Sequence, residues 1–204
     1  MIPSMEDNPP EHWPKIGDLL FVQNSRATDA DIATFRGERL YRMKKAFKAS
    51  ADLLVNQSEQ DAHERRNFVW PIVFCYRHYI ELALKDMINE YGAQVVPEIK
   101  PDWKSHSLQE LWNSYKIIVE STFSEININD IREVAAVETC ILELDNIDAR
   151  SFTFRYPTDK NGKQPEIPFT SIDLSNLRDV MGGIYAFLES AELALEAQFQ
   201  NNHP

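Results

Sequence analysis

Arg77-His78-Tyr79-Ile80-Glu81-Leu82-Ala83-Leu84-Lys85 sets four polar or ionic side chains inside an otherwise apolar helical run. Burying such groups unpaired is costly, so they either satisfy one another or serve a site. At roughly 100° per residue, Arg77, His78, Glu81 and Lys85 fall within about a quarter to a third of the helix circumference. Val73, Tyr76, Ile80, Ala83, Leu84 and Met87 occupy much of the rest. The polar groups are therefore neighbours on a largely apolar helix.

Working outward, this helix is expected over 60–91, with Pro71 ending or kinking it and Gly92 as its stop. Before it, Thr28 is a plausible N-cap, Asp29 and Asp31 suit a first turn, and Ile32, Phe35, Leu40, Met43, Phe47 and Leu54 recur as a long helix over 28–57 requires. Downstream, Ser107-Leu108-Gln109-Glu110 fits a capping box and opens a helix over 107–122. Asp130 and the periodic Ile131, Val134, Val137, Ile141 and Leu144 give a fourth helix over 129–147.

Period-two alternation in Ser151-Phe152-Thr153-Phe154-Arg155-Tyr156, a turn at Asn161-Gly162 and a return through Ile167–Ile172 predict a small hairpin. A last helix over 175–199 contains Gly182-Gly183, a pair that close packing or a bend explains. The fold expectation is all-α: an up-and-down bundle of about five helices with a small β-hairpin insertion near 151–172. Residues 1–25, with Pro3, Pro9, Pro10 and Pro14, read as an irregular N-terminal arm, and 26–204 as one domain.

The composition favours a folded, helix-rich chain: 43% of 204 residues are hydrophobic, 26% are charged and only 6 are glycine. Twenty-one basic against 32 acidic residues leave a net charge of −11, which repels polyanions at long range and disfavours broad nucleic-acid binding. A local exception is a small positive area from Lys44, Lys45, Lys48, Arg65 and Arg66, while Glu189, Glu192 and Glu196 read as a solvated acidic face. Cys75 and Cys140 sit in apolar contexts and read as reduced core thiols, which points to the cytoplasm. No run reaches membrane-spanning length and no leader pattern opens the chain, so no membrane association is expected. Paired cysteines, a His-Glu-x-x-His motif, a phosphate-cradling glycine loop and a nucleophile elbow are all missing, so neither a metal nor a cofactor is expected.

The helix carrying Arg77-His78, Glu81-Leu82 and Lys85, followed by a loop and then Ser105-His106-Ser107-Leu108 with Leu111 opening the next helix, resembles the HEPN superfamily of small helical bundles. The likeness covers mainly residues 70–115. It implies a protein linked to RNA metabolism or defence, either a metal-independent ribonuclease or a catalytically inactive relative, and it implies a homodimer. Catalytic members use an arginine and a histidine separated by four to six residues. None of His12, His63, His78, His106 or His203 has an arginine so placed before it. The family's catalytic pair thus transfers to no position here; on their own chemistry Arg77 and His78 are the candidate catalytic residues, and Glu81, Lys85, His106, Arg155 and Tyr156 the candidate binding residues. The chemistry is coherent: a histidine moves a ribose 2′-hydroxyl proton while arginine or lysine stabilises charge on phosphate.

Two competing readings remain. Glu81 pairs with Arg77 and Lys85 at helical spacing as an ionic brace, and Arg155 pairs with Asp145 or Asp148. The functional alternative is a non-enzymatic module that binds a protein partner or a nucleotide.

Overall fold

The structure, a computed structural model, describes residues 14–22, 30–32, 36–125 and 127–202. The chain separates into two units, Met1–Ile32 and Ala33–Pro204. In the first, residues 14–22 are irregular, and the Asp18 amide donates to the Lys15 carbonyl at 3.0 Å to close a turn through Gly17. Ile16, Leu20 and Phe21 there are almost fully exposed.

In the second unit, α1 (Arg36–Ser58) and α2 (Ala62–Met87) make the most extensive helix pair. Helices α3 (Leu108–Thr122), α4 (Arg132–Asp148) and α5 (Leu174–Asn202) follow. Helix α2 also packs on α3 and α5, α3 packs on α4, and α5 reaches every other helix. The core these contacts enclose includes Val55, Ile72, Tyr79, Ile80, Leu84, Trp112, Ile118, Ile141 and Leu195, each essentially without solvent exposure.

Helix α2 begins where Asp61 caps it, the carboxylate accepting from the His63 amide at 2.7 Å. It continues through Pro71, so proline does not end it there. The ring lies on an exposed face, where water serves the backbone carbonyl that proline leaves without its helical donor. A single π turn, Ile88–Gly92, closes α2, and Gly92 is demanded by close approach, since a Cβ there would stand 2.6 Å from the Ile99 carbonyl oxygen. Helix α3 starts as its capping sequence predicts, with Ser107 Oγ accepting from the Glu110 amide at 3.2 Å.

Three expectations are corrected. Asp31 and Ile32 lie outside α1, and Ile32 is 77% exposed, so nothing there buries the apolar face a longer helix would need. Thr28, Asp29 and Phe35 fall outside the described residues.

The β-hairpin is not formed: among the described residues there is no strand. The Asn161-Gly162 turn does exist, with Gly162 at φ +78 and Asp159 Oδ1 accepting from the Asn161 and Lys163 amides at 2.8 and 2.9 Å. The amides needed for a ladder are spent elsewhere. Phe152 and Thr153 donate to Asp148 Oδ1 at 2.6 and 2.9 Å, and Arg155 and Tyr156 donate back to the Phe152 carbonyl at 3.0 and 3.1 Å. Pro157, Pro165 and Pro168 have no amide to offer.

The Gly182-Gly183 pair neither bends α5 out of helix nor admits a close neighbour, since a Cβ at either position meets nothing within 4 Å.

Candidate functional site

Arg77, Glu81 and Lys85 stand at successive i,i+4 positions on α2 and form one buried ladder. Arg77 Nη1 donates to Glu81 Oε2 at 3.0 Å, and Lys85 Nζ donates to Glu81 Oε1 at 2.9 Å. The remaining donors reach across to other elements. Arg77 Nε donates to the Asp148 carbonyl at 2.8 Å, Arg77 Nη2 to the His106 carbonyl at 2.6 Å, and Lys85 Nζ to the Ser105 carbonyl at 2.7 Å. Each nitrogen of Arg77 is thus committed to the protein, and the side chain is 0% exposed. The ladder ties the middle of α2 to the end of α4 and to the loop that opens α3.

His106 joins at the rim. Its Nδ1 lies 3.0 Å from Glu81 Oε1, and at 41% side-chain exposure it is the member of the group that meets solvent. Burial alone would raise the Glu81 carboxyl; the hydrogen bond and charge of Lys85, then those of His106, outweigh it and hold Glu81 below the usual carboxylate range. Glu81 is accordingly an ionised acceptor shared by three partners rather than a proton donor.

Sequence reasoning named Asp145 and Asp148 only as partners for Arg155 and missed that they complete this corner. Asp145 Oδ1 accepts from the Leu108 amide at 2.7 Å, capping α3 from outside, while Asp148 takes two amides of the following turn and lies 3.6 Å from Arg77 Nε. The available signal was their spacing of three on the buried side of α4. Arg155 pairs with neither of them, contrary to the ion-pair reading; its Nε donates to the Ser151 carbonyl.

His78 leaves the ladder. Its ring stacks on Phe74 at 5.5 Å and meets Phe47 of α1 edge-on at 4.5 Å. Burial holds its pKa below the usual histidine value, Glu81 opposing that shift only in part. The expected catalytic pair therefore consists of an arginine enclosed by protein acceptors and a neutral histidine in an aromatic sandwich. The two do not converge on a common cavity.

Arg155 and Tyr156 belong to a second grouping. The Arg155 guanidinium lies 5.6 Å from the Phe74 ring centroid and 5.4 Å from that of Tyr156, and Tyr156 stacks on Phe152 at 5.0 Å. Both residues line an open groove of about 680 Å³ that also takes in Trp70, Phe154, Gln164 and Ile167.

Of the expected basic area, the three lysines are taken into ion pairs, while Arg65 donates to the Ser58 and Glu59 carbonyls and Arg66 stays exposed. Lys44 is buried between Asp86 at 2.8 Å and Glu192 at 2.7 Å, Lys45 pairs with Glu189, and Lys48 pairs with Asp52. Glu189 and Glu192 thus hold α5 on α1 instead of forming a solvated face.

Cys75 and Cys140 are both free thiols. Among the described residues, no group of three or more histidine, cysteine, aspartate or glutamate side chains is arranged to hold a metal ion, and no helix is long and apolar enough to cross a membrane. Comparison of the chain with protein-family models, curated proteins and solved structures finds no match.

Proposed function

We propose that this chain is a HEPN-like up-and-down helical bundle linked to RNA metabolism or defence that has no cleavage centre and works as a non-enzymatic module binding a nucleotide or a protein partner. One observation carries the loss of catalysis: every nitrogen of Arg77 is taken by a protein acceptor, at zero exposure. A guanidinium so enclosed cannot present its remaining N–H groups to a phosphate arriving from solvent, and freeing it would unpair buried acceptors. The ladder then serves as an ionic brace that sets the α2, α3 and α4 contacts. Association as a homodimer and a cytoplasmic location belong to the same reading, the latter supported by two free thiols.

The test is incubation of the purified protein with single-stranded and transfer RNA in chelator, comparing wild type with His106→Ala, since His106 faces solvent with its ring 3.0 Å from the Glu81 carboxylate. No cleavage by either protein is expected. RNA cleavage by wild type that His106→Ala abolishes would make the corner a divergent ribonuclease centre and overturn the module reading. Light scattering after size exclusion measures the dimer directly, and a clean monomer ends that part of the proposal.

A further inference from the structure

We infer that the groove between α2 and the 151–167 segment binds a small anion with a planar aromatic body, its ring held by Trp70 and Tyr156 and its carboxylate or phosphate by Arg155. This extends the reading of the chain as a non-enzymatic module and rests on it.

Arg155 is exposed, yet its position is set in advance: Nε is anchored to the Ser151 carbonyl, and the guanidinium lies against both Phe74 and Tyr156. Nη1 and Nη2 make no hydrogen bond or ion pair with the described residues, so a planar fork of donors faces the groove without a partner. Such a fork matches a carboxylate or phosphate bidentately. Among the described residues no carboxylate lines the groove, although the chain carries 32 acidic residues.

The walls supply the other half of the ligand. Trp70 and Tyr156 are 47% and 51% exposed, large aromatic surfaces left open to solvent, and Pro157, Pro165 and Ile167 complete an apolar lining. A volume of about 680 Å³ falls in the range of small-molecule sites. The anchoring of Ser151 itself is unusual: at φ +52 it holds the left-handed conformation that aims its carbonyl at Arg155.

Charge sets the size of the ligand. A polynucleotide needs several phosphate contacts, and among the described residues this groove is lined by one arginine, in a chain of net charge −11. A single head group on a flat ring fits what is present.

The experiment uses the full chain and three matched probes, 1-naphthylacetate, 1-naphthyl phosphate and the neutral 1-naphthaleneethanol, followed by calorimetry and ligand-observed magnetic resonance. Wild type should bind at least one anion about tenfold or more tighter than the neutral probe, since a hydrogen bond to a charged group outlasts its neutral equivalent. Preference between the two anions identifies the head group. Arg155→Gln should erase the anion advantage and leave the neutral probe unaffected; Trp70→Ala should weaken all three, with Trp70→Phe restoring most of the loss. Both residues are exposed, and thermal melting of the variants verifies that the fold is intact.

No saturable binding of either anion up to its solubility overturns the groove and leaves the absence of catalysis standing. Anion binding unchanged in Arg155→Gln also overturns it. A single-stranded RNA 12-mer that displaces the probes at lower concentration replaces the small ligand with a polynucleotide and defeats the inference. RNA cleavage alone defeats the module reading.

Discussion

Glu81 is the residue on which the buried charges balance, because it accepts from Arg77, Lys85 and the ring of His106 while almost unexposed. Removing one partner of a buried ionic group leaves the others uncompensated. Glu81→Ala is expected to destabilise the fold by about 3–5 kcal/mol in urea denaturation. A loss no larger than that of an exposed glutamate would show that the ladder is solvated. Two titratable groups of α2, His78 and Glu81, also set distinct acid responses. His78 has a depressed folded-state pKa, so the unfolded chain binds the extra proton as pH falls below about 6.5, and stability drops through that window. Glu81 is likewise depressed, and its contribution is present above about pH 4.3 and lost as pH falls through its lower folded-state value. Denaturation midpoints against pH should therefore show two steps, and His78→Phe should remove the upper one alone.

Among the elements, glycine separates two kinds of position that look alike in sequence. Gly92 closes the π turn after α2 against the backbone of Ile99, an atom that cannot swing aside, so Gly92→Ala should cost about 1–3 kcal/mol. Gly183 sits inside α5 with open space where a Cβ would go, and Gly183→Ala should stabilise by about 0.5–1 kcal/mol through helix propensity alone. Thermal melts of the pair check both signs at once; destabilisation by Gly183→Ala would mean that α5 needs its glycine for contact. The 151–172 segment teaches the same lesson from the other side. Its alternation and its Asn161-Gly162 turn are those of a hairpin, yet Asp148 captures two of its amides and three prolines remove others, so no ladder forms.

For the molecule as a whole, the net charge of −11 stands over a surface whose buried or half-buried lysines on α1 are neutralised by Asp52, Asp86, Glu189 and Glu192. With a net charge of −11 and these lysines paired, the protein should pass through a heparin column at about 0.1 M salt, where charges act over about 10 Å. Firm retention there would reveal a polyanion surface that these pairs do not account for. Helical periodicity and capping were legible from the chain alone, because 3.6-residue spacing and a Ser107 cap are local properties. The ladder's internal pairing was legible too, since i,i+4 contacts follow from helix geometry. Its meaning was not. Whether Arg77 faced a substrate or the carbonyls of His106 and Asp148 depended on segments 29 and 71 residues away, and only their packing decided it. The same holds for Arg155, which tertiary packing sets against the Ser151 carbonyl and the rings of Phe74 and Tyr156 instead of against Asp145 or Asp148. Local spacing determines which side chains are neighbours on one element; competition among distant donors and acceptors determines which of them are left to bind.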